Sequence, residues 1–295
     1  MKMLNALRRW RFPLLLAVFF VGLDWMASAL LGPWLVSSGR FILNDYEIVR
    51  RAHPEAVWDQ VFFGNSIVIS AYLEEESESG YVNLGVDYGV VTDLWDMLRK
   101  KEIQVGSELV IGLNDLTLYD EFPTNPAYPW HREPLEPFLY FYRDRLRLLV
   151  EETAAQAFTG FVPEYGKYAG QERAYYYGSL SQTKLDEKAA SSPYLALPME
   201  DFEENFAALE EIAAWCGRNG VRLRLLWMPL NPDFQVPKST LAVKARTEAL
   251  CAQLGLEFKD WSGALDRACF YDFGHLNHEY GAHVFTKEID QWLLS

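Results

Sequence analysis

An apolar stretch near the start of the chain constrains its fold and topology more than any other feature. Residues 12–36 form a 25-residue run rich in Leu, Phe, Val, Ala and Trp, and residues 1–11 carry a basic cluster. At about 1.5 Å of rise per residue, a helix of this length crosses a bilayer core of about 30 Å. The run exceeds the apolar region of a signal peptide, about 7 to 15 residues, so we predict an uncleaved transmembrane anchor. The basic cluster predicts that residues 1–11 lie in the cytoplasm and that residues from about 37 onward lie outside.

Asp24 lies near the middle of this apolar run. A carboxylate at that depth costs roughly 2.5 to 3.5 kcal/mol on insertion scales unless it is paired or protonated. Two interpretations stay open: Asp24 is hydrated close to one membrane interface, or it faces another protein.

Charge and cysteine content exclude some classes of function. The 295-residue chain carries a formal net charge of -14, whereas nucleic-acid-binding proteins usually display a basic patch. Nucleic acid is therefore not an expected partner. Cys216, Cys251 and Cys269 are odd in number and contain no CxxC spacing, which indicates buried structural thiols, although one disulfide stays open.

Strand and helix signals alternate after a linker at residues 37–56, and this alternation predicts an α/β domain with a parallel sheet over residues 57–295. The expected strands are 57–64, 81–84, 108–113, 221–228 and 256–258. The expected helices are 65–72, 90–101, 199–218, 241–254 and 278–293.

The pattern breaks down over residues 119–198, which are too many for a simple connection in a compact domain. With a helix expected at 137–157, this insertion is interpreted as a lid or substrate wall, or else as a helical subdomain that only covers the sheet. Its aromatic residues either stack on sugar rings or pack the insertion itself. These residues are Trp130, Tyr165, Tyr168, Tyr175, Tyr176 and Tyr177.

Candidates exist for every part of a serine hydrolase site. Ser66 follows a strand and the dipeptide Gly64-Asn65, where its hydroxyl would stand at the start of a helix. Asp272 and His275 lie three residues apart in YDFGHLN, on a loop before the last helix. Oxyanion donors are available from the side-chain amide of Asn114 and the backbone N–H of Gly85, each at a strand end.

Four short segments together resemble the sequence blocks of the SGNH (GDSL-like) hydrolase superfamily. They are Gly64-Asn65-Ser66, Gly85 in VNLGVDYG, Gly112-Leu113-Asn114-Asp115 and Asp272-Phe273-Gly274-His275. The resemblance runs from about residue 57 to the end of the chain, without the insertion at 119–198.

The resemblance implies a three-layer α/β/α sandwich of the flavodoxin-like type. It implies that Ser66 is the nucleophile, that His275 is the base and that Asp272 orients His275. It also implies an oxyanion hole made by the Ser66 N–H, the Gly85 N–H and the Asn114 amide, with no cofactor. Many members have Asp at the position of Asn65, which puts the subfamily in doubt rather than the activity.

The DFGHLNHEYG ending and the anchor are more similar to the envelope branch of the superfamily, which includes the DltD protein of teichoic acid D-alanylation and the alginate acetylation proteins. That branch implies acyl transfer to a glycan or polyol-phosphate polymer, beside a membrane-bound O-acyltransferase (MBOAT) contacted near Asp24. Alternatives are a carbohydrate esterase (deacetylase), a lipase-like hydrolase, or a non-catalytic accessory protein of such an acyltransferase.

A metal site is the competing interpretation of the histidines near the C-terminus, because histidine clusters are common ligands. His278 and His283 are five residues apart on an expected helix, so their side chains should diverge by about 140°. No metal is therefore predicted.

Overall fold

A computed structural model describes residues 2–37, 44–126, 128–133, 138–160, 175–194 and 197–295. The chain divides into two compact units, the first formed by residues 1–43 and 126–172 and the second by residues 44–125 and 173–295. The strands are β1 Trp58–Gly64, β2 Val82–Gly85, β3 Val105–Leu113, β4 Arg222–Trp227 and β5 Glu257–Asp260. The α-helices are α1 Lys2–Ser37, α2 Asp45–Ala52, α3 Ser66–Ala71, α4 Val91–Arg99, α5 Asp115–Leu118, α6 Arg143–Thr159, α7 Gln182–Ser191, α8 Glu203–Asn219, α9 Lys238–Leu254 and α10 Gly281–Leu293.

The first unit contains the predicted anchor. Within α1, residues Trp10–Gly32 are long and apolar enough to cross a membrane. Of the two open interpretations of Asp24, neither describes its contacts, because the carboxylate accepts backbone N–H groups from its own chain: Phe138 at 2.5 Å and Leu139 at 3.1 Å. Trp130 is fully buried and stacks on Tyr128 at 4.4 Å between ring centroids, so its ring packs this unit and is closed to a sugar.

The second unit is built on a five-stranded, all-parallel sheet in the order β2-β1-β3-β4-β5. This is one of the two common orders of doubly wound sheets. The chain leaves β1 towards β2 on one side and later places β3 on the other side of β1. The carboxyl ends of β1 and β3 therefore flank the point where the strand order reverses, which is where open α/β sheets bind ligands.

Both faces of the sheet are covered, as parallel strands require. Phe62 and Val110 pack on one face with the apolar sides of α3 and α10. Val61 and Leu109, which point to the opposite face because strand side chains alternate, are also fully buried. The sequence-based prediction of a parallel α/β domain is therefore confirmed.

Several boundaries differ from the prediction for local reasons. The expected linker at 37–56 contains α2, whose Asn44 side chain accepts from the Glu47 N–H at 3.0 Å as a helix cap. The last helix begins at Gly281 rather than at residue 278, because the Asn277 side chain accepts from the N–H of Gly281 at 2.9 Å. The expected helix at 137–157 is α6, and the insertion also contains α7.

The predicted insertion at 119–198 is divided between the two units. Residues 126–172 belong with α1, whereas residues 119–125 and 173–198 belong to the unit that holds the sheet. A single lid over the sheet is therefore an incomplete description of this segment, since only its two ends belong to the same unit as the candidate triad.

A buried charged cluster lies towards the amino ends of β3 and β4. Arg224 is fully buried and forms an ion pair with Glu108 on the neighbouring strand. Its guanidinium also donates to the Tyr81 hydroxyl at 2.8 Å and to the main-chain oxygens of Trp292 at 2.7 Å and Leu293 at 2.9 Å. The cluster thus ties the end of α10 to the sheet.

Candidate active site

Ser66 is held on a sharp turn between β1 and α3. The turn is tight because a Cβ on Gly64 would lie 2.2 Å from Val68, so only glycine lets α3 fold back on the strand. Asn65 caps the helix by accepting from the Ile67 N–H at 3.0 Å. Ser66 is then the first residue of α3, and its own N–H is among those that lack an intrahelical acceptor.

Asp272 and His275 share a closed loop before α10. An antiparallel bridge joins Phe270 to Leu276, and the Asp272 carboxylate accepts the N–H groups of Gly274 at 3.1 Å and His275 at 2.9 Å. The carboxylate is therefore fixed by the backbone of its own loop. The two side chains cannot separate without opening that loop.

The structure brings the three predicted triad residues together. Ser66 Oγ lies 2.9 Å from His275 Nε2, and His275 Nδ1 lies 2.9 and 3.0 Å from the two Asp272 oxygens. A carboxylate next to Nδ1 assigns the proton of the neutral imidazole to that nitrogen, which leaves Nε2 free to accept from the serine. This arrangement has the geometry that a nucleophile, a base and an orienting carboxylate require.

The Asp272 side chain is almost fully buried and stays ionised. Burial by itself would raise its pKa, but the hydrogen bond and charge of His275, together with the Lys188 ammonium, hold the pKa of Asp272 well below its usual range. Lys188, on α7, donates to the second carboxylate oxygen. From the buried side, Asn231 donates to the Asp272 main-chain oxygen at 2.8 Å.

The Asn114 amide is oriented by a buried network at the end of β3. The Thr117 N–H donates at 2.7 Å to one terminal atom of the Asn114 side chain, and this identifies that atom as Oδ1. The same oxygen accepts from Asn65 Nδ2 at 3.2 Å. Asn65, the donor in that contact, is the residue that precedes Ser66.

Gly85 differs from the expectation. Its N–H donates at 3.0 Å to the Oδ1 of Asn83 on the same strand, so this predicted oxyanion donor already has an acceptor. The glycine has a packing reason instead, since a Cβ at this position would lie 2.8 Å from the Ile69 nitrogen of α3. The role of Gly85 in an oxyanion hole stays a prediction, as do those of the Ser66 N–H and the Asn114 amide.

The end of the insertion contributes tyrosines to the triad loop. The Tyr176 ring lies 4.2 Å from the His275 ring, centroid to centroid, and Tyr175 stacks on His278 at 4.2 Å. Burial, followed by the nearby Asp272 carboxylate, raises the pKa of the Tyr176 hydroxyl well above its usual range, so the ring stays neutral. Tyr165 and Tyr168 lie outside the described residues.

The two histidines of the metal alternative do not diverge as expected. Because α10 begins only at Gly281, His278 lies on the preceding loop, and its ring centroid is 5.7 Å from that of His283. His283 pairs with Glu76 at 2.6 Å. Within the described ranges, no group of three or more His, Cys, Asp or Glu residues is placed to hold a metal ion.

Sequence reasoning missed three contributions to the site. These are Lys188, Asn231 and the hydrogen bond that Asn65 donates to Asn114 Oδ1. Lys188 lies more than 80 residues before Asp272 on a helix with a single buried apolar residue, so no spacing relates the two. Asn231 follows β4 closely, and a polar residue just after a parallel strand is a usable signal.

In comparisons with known proteins, no family model matches the chain and no curated protein matches it significantly. What the site can do therefore rests on its geometry.

Proposed function

We propose that this protein is a membrane-anchored serine acyl-transfer enzyme of the SGNH type. The observation that carries the proposal is the continuous chain from Ser66 Oγ through the His275 ring to the buried Asp272 carboxylate, each link between 2.9 and 3.0 Å. The strand order and the position of Ser66 and Asn114 at the reversal point of the sheet support a flavodoxin-like sandwich.

In the first half-reaction, Ser66 Oγ attacks the carbonyl carbon of an acyl ester while His275 Nε2 takes the serine proton. The imidazolium that forms is stabilised by Asp272. Negative charge on the carbonyl oxygen is met by the Ser66 N–H and the Asn114 amide. As the tetrahedral intermediate collapses, His275 returns the proton to the leaving alcohol, and the acyl group stays on Ser66 as an ester.

In the second half-reaction, His275 removes the proton from an incoming hydroxyl, whose oxygen attacks the carbonyl carbon of the acyl-serine ester. As this second tetrahedral intermediate collapses, the bond from the acyl carbon to Ser66 Oγ breaks, His275 returns the proton to Ser66 Oγ, and the acylated product leaves. A hydroxyl of an envelope glycan or polyol phosphate gives transfer, and water gives hydrolysis. The same residues serve both outcomes. The apolar α1 helix, which would hold the enzyme at a membrane, favours a membrane-delivered acyl group and therefore transfer.

An MBOAT partner is part of this proposal, although Asp24 is a poor candidate for the contact because its carboxylate is already occupied by the chain's own backbone. Trp25 and Leu30 remain exposed on other faces of α1. Co-purification of a polytopic membrane protein that is lost in Leu30→Arg but kept in Leu30→Ile would support contact through these faces. Equal recovery with both variants would remove it.

The enzymatic proposal is tested with the full-length protein in detergent and p-nitrophenyl acetate as acyl donor. We expect nitrophenol release that disappears in Ser66→Ala and persists in Ser70→Ala. Ser70 is the matched control because it lies on α3 with its hydroxyl bonded to the Ile67 carbonyl at 3.1 Å. Adding glycerol or a soluble glycan should divert acetate onto hydroxyls. Release that is unaffected by Ser66→Ala would remove the proposal.

A further inference from the structure

Asp24 is bound by a segment that follows the first part of the insertion, within the first unit of the chain. Besides the two backbone N–H groups on the carboxylate, the Ser28 hydroxyl donates to the Phe138 carbonyl at 3.3 Å. A Cβ on Gly32 would lie 2.6 Å from the Tyr142 ring, so the absence of a side chain lets that ring lie directly against α1. Asp24, Ser28 and Gly32 are four residues apart and share one face of the helix.

The depth of this contact follows from helix geometry. The candidate span within α1 ends at Gly32, eight residues after Asp24. At 1.5 Å of rise per residue, Asp24 lies about 12 Å below that end of the span. The backbone of Phe138 and Leu139, hydrogen-bonded to the carboxylate, lies at the same depth.

Sliding the membrane along α1 does not bring this contact into water. If Asp24 lay at the membrane surface, the apolar run between Arg11 and Asp24 would contain only residues 12–23. That run is about 18 Å long against a bilayer core of about 30 Å. The span would then have to include Arg8, Arg9 and Arg11, which are costly in hydrocarbon.

The composition of the segment matches this depth. Residues 138–142 read FLYFY, and Tyr140 is half exposed. The Arg143 guanidinium lies 4.3 Å above the Tyr140 ring, and Arg147, two-thirds exposed, is one turn further along α6. Aromatic rings next to basic side chains are typical of a membrane interface.

We propose that the segment 138–142 is a second membrane element, inserted among the acyl chains of the leaflet at the C-terminal end of α1 and held there by the Asp24 carboxylate. The polar residue in the anchor then has a structural purpose, since it satisfies backbone N–H groups that hydrocarbon would leave without acceptors. The exposed side of Tyr140 faces lipid. This inference depends on α1 spanning a bilayer and does not depend on the serine chemistry.

The test uses full-length protein in phosphatidylcholine vesicles, with an environment-sensitive fluorophore on one introduced cysteine at a time. The native thiols stay silent under native labelling, because burial raises the pKa of Cys216 to about 12 and of Cys251 to about 11, and that of Cys269 above its usual value. The probes are Tyr140→Cys, Phe19→Cys within the span of α1, and Glu211→Cys on the exposed side of α8.

We expect lipids brominated on their acyl chains to quench the probes at positions 140 and 19, and aqueous iodide to quench the probe at position 211 several-fold more strongly. Iodide quenching at 140 with lipid quenching at 19 would overturn the proposal while leaving the anchor intact. Shielding of the 140 probe from both quenchers would also overturn it, because protein rather than lipid would then cover the segment. Lipid quenching absent at 19 would remove its premise.

A second measurement tests the role of Asp24. In Asp24→Leu the N–H groups of Phe138 and Leu139 lose their acceptors, so we expect the 140 probe to become several-fold more accessible to iodide. Asp24→Asn keeps one side-chain oxygen as an acceptor and should leave the probe in lipid. Equal lipid quenching of the 140 probe in Asp24→Leu would show that the carboxylate does not hold the segment.

Discussion

The two ends of the parallel sheet in the second unit each hold a buried carboxylate with a cationic partner, but they are built differently. Towards the amino ends, the Arg224 side chain is fully buried, pairs with Glu108 and donates to three other oxygens of the protein. At the carboxyl ends, the buried Asp272 is followed by His275, about a fifth exposed, and then by the half-buried Ser66. A closed cluster fixes the fold, whereas a cluster that opens to solvent leaves atoms for a reaction.

The largest expected effect is a loss of activity when the cluster at the carboxyl ends of the strands is changed. His275→Gln removes the base but keeps a polar side chain of similar length, so we expect ester hydrolysis to fall by about 10²- to 10⁴-fold. The melting temperature should change little. His283→Gln is the matched control, since His283 is exposed and pairs only with the exposed Glu76. Equal losses in both variants would contradict the assignment of His275.

The next largest effect is a loss of stability when the cluster towards the amino ends of the strands is changed. Glu108→Leu leaves the Arg224 charge buried without its carboxylate, which should lower the free energy of unfolding by about 3 to 5 kcal/mol. Activity per folded molecule should stay unchanged. The double variant Glu108→Leu/Arg224→Met, which removes both charges, should recover much of the loss in urea unfolding. A selective loss of activity without loss of stability would contradict the assignment of Glu108 and Arg224 to the stability of the fold.

Asn65→Asp is expected to have an intermediate effect on catalysis. The carboxylate can still cap α3, but it cannot donate to Asn114 Oδ1, where Asn65 Nδ2 now lies at 3.2 Å. The introduced carboxylate and Asn114 Oδ1 would then be two acceptors facing each other without a donor between them. In this buried place such a contact costs about 1 to 3 kcal/mol, and it would disturb the Asn114 amide, the expected oxyanion donor. We expect kcat to fall with KM little changed. Asn44→Asp, at the corresponding cap of α2, should leave activity as it is.

The smallest effect concerns Lys188 and is read from the pH dependence. Burial would raise the pKa of Asp272, but His275 and then Lys188 lower it well below its usual range, so the carboxylate stays ionised. In Lys188→Met, the His275 imidazolium becomes the main cation on that carboxylate and is favoured. The acid limb of the pH–rate profile should therefore move to higher pH. Because Lys188 is nearly half exposed and therefore screened by solvent, the shift should be small.

Lys184→Met, one turn earlier on the same helix, is the control and should leave the profile unchanged, while Lys188→Arg should preserve it. A shift of the acid limb to lower pH in Lys188→Met would contradict the sign of this argument.

The sheet was predictable from the sequence because buried parallel strands are continuous apolar runs closed by glycine or proline. The run before Gly64 and the helix end at Asn219-Gly220 correspond to β1 and to α8, whose C-cap Gly220 has φ 70°. Ser66 could be singled out because it stands next to such an end, and Asp272 and His275 because they lie three residues apart on a loop before the last helix. Their contact with Ser66 is a feature of the fold that the strand and helix signals did not predict.

The rest depended on contacts that leave no local pattern. α7 buries only Leu185, so its sequence lacks the apolar period by which an amphipathic helix is recognised. Lys188 contacts Asp272 because the chain folds α7, the last helix of the insertion, against the loop that holds Asp272. Asp24 was noticed as a costly residue, but its acceptor role for Phe138 and Leu139 joins positions more than 110 residues apart. Gly85 lies in one of the sequence blocks, but its structural reason is close packing against Ile69.

The central claim is that Ser66 is an activated nucleophile, and labelling by a fluorophosphonate probe tests it most directly. The folded full-length protein should react with one equivalent of probe, and peptide mapping should place the phosphonyl group on Ser66. Labelling should vanish in Ser66→Ala, slow strongly in His275→Gln and persist in Ser70→Ala. Labelling that survives Ser66→Ala at another serine, or a folded protein that does not react, would contradict the account.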